Sequence, residues 1–441
     1  MGGQRKTRGG RVTPKGGTSL GRLTADEKAG LDGIFSKILR SARDDLTDDL
    51  DPLGVEMWAS QMWSICQRAE LIGMDATAVF AGGFIDYAAR SATPQALAVL
   101  RALAAVVPEP YGAKARRGAE ALSQSGLNEP AWADELGVVN PTEAWLSFDP
   151  VDDDGVAVMV TFSRPGGDHT VGVYVDHNLG ALAKDAFAVP AGVDEMIQRL
   201  GQREDEDPPE YRQISLPEAA ARWRDAFERT DLTVEPPTTE DLDGLRALVL
   251  ARLARMPAGS ATSVPPEANE AERAQLLSEF LDSKETVGLF GEENESAEVV
   301  EHLSMSVMAF SFDCVRGTPL RFSPVMVEIF CLDWAPRKIA ADREAFTVLP
   351  DVLAAWIRFA GRRRGIPEEA ISESVEAAYD YAPEMIDLAS DPANWGPAKT
   401  IALAIEKRGI DVTDKTALDR FMDEINGKGG IDWLTESASP F

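Results

Sequence analysis

Gly155-Val156-Ala157-Val158-Met159-Val160-Thr161-Phe162-Ser163-Arg164-Pro165-Gly166-Gly167-Asp168-His169-Thr170-Val171-Gly172-Val173-Tyr174-Val175-Asp176 reads as a β-hairpin. Val156, Val158, Val160 and Phe162 alternate with Ala157, Met159 and Thr161, and Val171, Val173 and Val175 resume the alternation. A period of two with β-branched residues is the signature of a half-buried strand. Between the two runs, residues 163–168 hold the turn formers Pro165, Gly166 and Gly167, so a loop is expected there.

Working outward, residues 145–148 predict a strand in front of the hairpin, joined by the turn Asp152-Asp153-Asp154-Gly155. Residues 211–215 predict a last strand. The product is an antiparallel sheet of three or four strands with one valine-rich face, which needs helices on that face. Residues 180–187 and 217–229 are the nearest helical candidates. Ser215 with Glu218 three residues on has the spacing of a capping box.

The rest of the chain reads as helix. Thr24 and Glu27 form a second capping-box pattern, and helices are expected near residues 55–71, 76–90, 94–107 and 112–123. Trp58, Met62, Trp63 and Cys66 make a helical stripe that reads as core packing. After Pro236-Pro237 an amphipathic helix is expected at 241–255. Residues 325–334, apolar on nearly every side, predict a buried helix, with 349–360, 367–379, 397–407 and 416–425 around it. Arg362, Arg363 and Arg364 before Gly365 fit a helix C-terminus, where cations complement the dipole and glycine stops the helix. The expected fold is therefore mainly α with a small α+β module, its sheet lying between two helical regions. The expected divisions are a basic disordered tail at 1–22, a helical domain at 23–135, the α+β module at 140–232 and a helical domain at 237–436.

Charge divides the 441 residues unevenly. Arg5, Lys6, Arg8, Arg11, Lys15 and Arg22 precede the first acid, Asp26, whereas the remainder carries 38 basic against 73 acidic residues, a formal charge of −35. Such a body does not bind nucleic acid or anionic membrane non-specifically. The six tail cations are candidate RNA contacts through phosphate charge; a solubilising tail, or one that associates with the acidic body, is the plainer reading. Three cysteines, Cys66, Cys314 and Cys331, give no paired zinc spacing and no complete disulfide set, which fits a reducing cytoplasm. No secretory signal follows the basic start, and no stretch approaches the roughly 20 apolar residues of a membrane helix.

Motifs for catalysis are missing: there is no Walker-type phosphate loop, dinucleotide fingerprint, His-Glu-x-x-His or Gly-x-Ser-x-Gly. An EF-hand alignment on Gly155 puts Pro150 and Thr161 at ligand positions, which excludes it. No metal and no cofactor is expected. His169 and His177 share strand parity with the valines but would stand about 26 Å apart on one continuous strand, too far to chelate together. His177 sits at the strand exit beside Asp176, with Lys184 further on. These three are the candidate catalytic residues, with Asp176 as orienter and His177 as base if the strand ends there. A turn-closing role is the plainer account. His302, beside Leu303, Met305 and Met308, reads as a partly buried core histidine.

Residues 173–187 and 328–365, with Asn394-Trp395-Gly396-Pro397-Ala398-Lys399, resemble an uncharacterised actinobacterial protein family, and 32 Arg to 12 Lys fits a GC-rich genome. The resemblance implies no activity and transfers no functional residue. The sequence thus points to a cytoplasmic binding or adaptor protein with helical surfaces for a protein partner and a tail able to touch RNA. The alternative is an enzyme of unrecognised family with its site at Asp176, His177 and Lys184.

Overall fold

Five strands make one antiparallel sheet: β1 (Asn140–Phe148), β2 (Gly155–Arg164), β3 (Gly167–Asp176), β4 (Leu182–Val189) and β5 (Glu210–Ile214), in the order β4-β3-β2-β1-β5. The computed structural model describes residues 24–68, 77–178, 180–200, 209–259, 269–289, 294–314 and 320–428. The fold is mainly helical with this single sheet flanked by helices, as the patterning predicts. Two local expectations are corrected. The loop at 163–168 contracts to a two-residue turn at Pro165-Gly166, because Arg164 pairs with Gly167 and Ser163 with Asp168. Residues 180–187, expected as helix, are mostly strand: β4 pairs with β3 from Thr170 to Asp176 and so satisfies backbone groups that β3 would otherwise leave open.

Cross-strand register sorts the side chains into two faces. Leu146, Val158, Val173 and Ala186 lie in one row of the valine face, all of them buried. The helix Leu216–Leu232 packs over that face, where the fully buried Trp223 donates from Nε1 to the Val158 carbonyl at 3.0 Å. Ser215 caps its start by accepting from the Glu218 amide, but the reciprocal half of the expected capping box does not form, since the Glu218 carboxylate accepts from Arg222 instead. The helix Glu240–Leu253 lies against β4, with the Thr239 amide donating to the Lys184 carbonyl at 2.9 Å. On the opposite face, Trp145, Met159, Gly172 and Phe187 align in one row. A Cβ on Gly172 would stand 2.2 Å from the Phe187 ring, so that aromatic lies flat on the sheet only because Gly172 has no side chain.

The N-terminal helices Ala25–Asp45, Pro52–Arg68, Gly82–Ser91, Pro94–Val106 and Tyr111–Gln124 share a hydrophobic core with the valine face. Thr24 and Glu27 form the predicted capping box. Trp63 and Cys66 are buried and Trp58 and Met62 pack against that core, so the stripe is structural.

A second core gathers Phe280, Phe310, Phe330, Phe346 and Trp356 from the C-terminal helices. The helix expected at 325–334 begins at Pro324, capped by Ser323, but passes through a π turn at Phe330–Trp334 before a last turn at Ala335–Lys338. Met326, Val327, Phe330 and Cys331 are fully buried, but Val325, Glu328 and Asp333 are exposed, so the helix buries one side rather than nearly all of its surface. Arg343–Arg364 ends at Gly365, whose φ of 78° closes the helix as predicted. His302 departs from expectation. On helix Asn294–Cys314 it is exposed, because Leu303, Val307 and Phe310 turn the buried face away from it. A small third cluster of Phe421 and Ile425 gathers residues of helices Pro397–Lys407 and Lys415–Gly427.

Candidate functional site

The sheet exit is where β2 begins, β3 ends and the acidic turn connects. Its three sequence candidates do not form one cluster: Asp176 and Lys184 pair with each other, and His177 pairs elsewhere. Asp176, 3% exposed, accepts from Lys184 Nζ at 2.6 Å. The pairing of β3 with β4 shifts register between Tyr174 and Val175, which leaves Lys184 as the extra residue of a bulge. Bulges re-aim side chains, and this one brings Lys184 onto the face of Asp176. His177 does not pair with Asp176, as neighbouring strand residues point to opposite faces. It pairs instead with Asp153 of the preceding turn, Nδ1 lying 3.0 Å from the Asp153 carbonyl and 3.2 Å from its carboxylate. Both partners accept, so Nδ1 carries the proton and Nε2 is the basic nitrogen of the neutral ring.

The acidic turn Asp152-Asp153-Asp154 is half-buried and makes tertiary contacts. Asp154 accepts from Arg321 Nη1 at 2.8 Å and from the Ser323 hydroxyl, and Arg321 also reaches the Asp152 carbonyl at 3.4 Å. Arg321 belongs to the second core's side of the molecule and is 1% exposed. The turn therefore joins the sheet to the C-terminal helices. Burial, then the charges of Asp154, Asp149 and Glu373, push the Asp152 carboxyl up to about 6. Burial also acts to raise Asp153, but the His177 hydrogen bond and the charges of His177, Arg321 and Arg364 hold it below its usual range. Tyr174 is half-buried, and that burial, with the charges of Asp176 and Asp154, raises it to about 12. A cavity of about 10 Å³, room for one water, lies between Asp152 and Arg364, walled by Leu320, Phe322, Ile357 and Ile371.

A second charged cluster lies under the valine face. Glu56, fully buried on helix Pro52–Arg68, accepts from Arg164 Nη2 at 2.8 Å, from Arg252 and from the Gly137 amide at 2.8 Å. His169 accepts at Nε2 from Arg252 Nε at 3.1 Å and stacks on Phe162 with ring centroids 5.7 Å apart. Burial and the two guanidiniums hold the imidazole neutral, down to about 2. A ring that accepts from arginines cannot also be an acid, so His169 has a structural place here. Sequence reasoning missed Glu56, Arg164 and Arg252. One signal existed: Arg164 continues the parity of Val156, Val158, Val160 and Phe162, and a charge on a buried face requires a buried partner.

Lys399 is buried among Phe346, Trp395 and the carbonyls of Pro336 and Ala389, to which it donates at 2.8 and 3.2 Å. Burial lowers its pKa to about 8. The tail cations Arg5, Lys6, Arg8, Arg11, Lys15 and Arg22 lie outside the described residues. Among the described residues no group of three or more His, Cys, Asp or Glu side chains is placed to hold a metal, and no helix is long and apolar enough to cross a membrane.

Comparison with known proteins brings no match, whether to a family model, a curated protein or a solved structure. This is consistent with the uncharacterised family that residues 173–187 and 328–365 resemble; an actinobacterial source is not shown.

Proposed function

We propose that this chain is a cytoplasmic adaptor that binds a protein partner through its helical part. The observation that carries the reading is at the end of helix Leu216–Leu232, where Leu232 is 86% and Val234 88% exposed, two residues apart. Paired branched aliphatics held in water on a loop that continues into Pro236-Pro237 suit an apolar recess on another protein. The sheet exit supports the same reading, because its polar side chains serve as a joint between two cores. Contact of Arg5, Lys6, Arg8, Arg11, Lys15 and Arg22 with RNA is a further part of the proposal and rests on their charge. The test is affinity capture with the full chain and with a Leu232→Asp/Val234→Asp variant at high salt. A partner held by the first and lost by the second supports the adaptor, and equal capture by both removes it.

The second reading is an enzyme at the sheet exit. It is favoured by the Asp153–His177 pair, in which a carboxylate and a carbonyl fix Nδ1–H and leave Nε2 as a base. Lys184 and Asp176 stand beside it as a separate ion pair. Substrate screening with wild type and His177→Gln decides it: an activity that the variant lacks, at unchanged thermal stability, establishes the site.

A further inference from the structure

We propose that Arg321, Ser323 and Arg364 form a site for an acidic segment of a partner protein, and that residues 152–154 of this chain fill it as an intramolecular substitute. A permanent interface satisfies its buried polar atoms. This joint does not. Arg321 is 1% exposed and gives Nη1 to Asp154, while its Nη2 is buried without a hydrogen-bond partner. Arg364 lines the cavity with Asp152; burial acts to lower its pKa, and it meets the charges of Asp153 and Asp152 without a hydrogen bond to either. On the sheet side, Asn178 is 4% exposed and its Oδ1 is likewise unmatched.

The occupant fits the charge but not the donors. Three successive carboxylates face two guanidiniums. Only Asp154 takes up Arg321 and Ser323; Asp153 turns to His177, and Asp152 lines the cavity with Arg364, Ser374 and apolar side chains. Asp153 also holds a left-handed backbone, φ 53°, which costs a non-glycine residue energy. An acidic strand from another protein would not carry that turn. It could offer carboxylates to Arg321 Nη2 and Arg364 together, and guanidinium pairs favour such bidentate capture. The site is distinct from Leu232 and Val234, so the two proposals stand or fall separately.

The test uses the full chain and a fluorescent peptide Val-Asp-Asp-Asp-Gly, copied from residues 151–155. Wild type, Asp152→Ala/Asp154→Ala, and the same double variant with Arg321→Gln are titrated at low salt. The double variant binds at least about tenfold more tightly than wild type, and Arg321→Gln abolishes the gain, as does high salt by screening. Equal binding by all three, or none to the double variant, overturns the proposal. A second measurement needs no variant. In wild type, millimolar peptide speeds hydrogen exchange at the Asp153 and His177 amides, which the seated turn bonds to the carbonyls of Asp149 and Asp154. Unchanged exchange there also overturns it.

Discussion

Arg164 donates to Glu56 at 2.8 Å across 108 residues of sequence, with both side chains withdrawn from solvent. Arg252 shares the same carboxylate. Removing one partner of a buried ion pair strands a charge and costs about 3–5 kcal/mol, more than the net worth of the pair. Glu56→Gln is therefore expected to lower unfolding free energy by roughly that amount. Arg164→Met with Glu56→Leu and Arg252→Met removes all three charges together and should cost far less. Urea denaturation of both variants checks the contrast.

His169 gives a pH dependence of definite sign. Its folded pKa, about 2, lies below the unfolded value near 6.5. The unfolded chain therefore binds the extra proton first, and stability falls as pH drops below about 6.5, at close to 1.4 kcal/mol per pH unit. Asp152 works the other way: its folded pKa, about 6, lies above the ordinary carboxylate range, so its contribution grows as pH falls from 6 towards 4. Denaturation midpoints of His169→Gln and Asp152→Asn across this range separate the two. The His169 ring signals should also fail to titrate between pH 8 and 5.

Lys399 predicts the alkaline side. Burial holds its folded pKa at about 8, below the ordinary 10.5, so the unfolded chain binds more protons between those values. Stability from this group therefore rises as pH climbs from 8 to 10.5. Lys399→Met should remove the rise, while giving up the bonds to the Pro336 and Ala389 carbonyls. Thermal melts at pH 8 and 10 read the difference directly.

Gly172→Ala tests the outer face of the sheet. The added methyl would meet the Phe187 ring at 2.2 Å and must displace it. Overpacking of this kind costs typically about 1–3 kcal/mol. Gly172→Ala with Phe187→Leu should recover part of the loss, because the shorter side chain clears the new methyl. Melting temperatures of the single and double variants decide it.

The candidate site was legible only in outline. Asp176, His177 and Lys184 do lie together at the strand exit, yet their pairing is Asp176 with Lys184 and His177 with Asp153. A bulge made the first pair and a turn the second, and neither has a marker in the order of residues. His302 misled for a related reason: apolar neighbours on a helix bury only one face, and His302 is on the other.

Patterns that act within a few residues were determined by the sequence itself. The valine alternation of β2 and β3, the Thr24–Glu27 box, the Ser215 cap and the Gly365 stop follow from backbone geometry and nearest hydrogen bonds. Tertiary structure decided what depends on distant partners. β4 became a strand because β3 offered it an open edge. Glu56, Arg164 and Arg252 could be buried only together, and Arg321 found Asp154 across 167 residues. Such contacts form when folding excludes water and brings remote charges within hydrogen-bond reach, a condition that no local run of residues specifies.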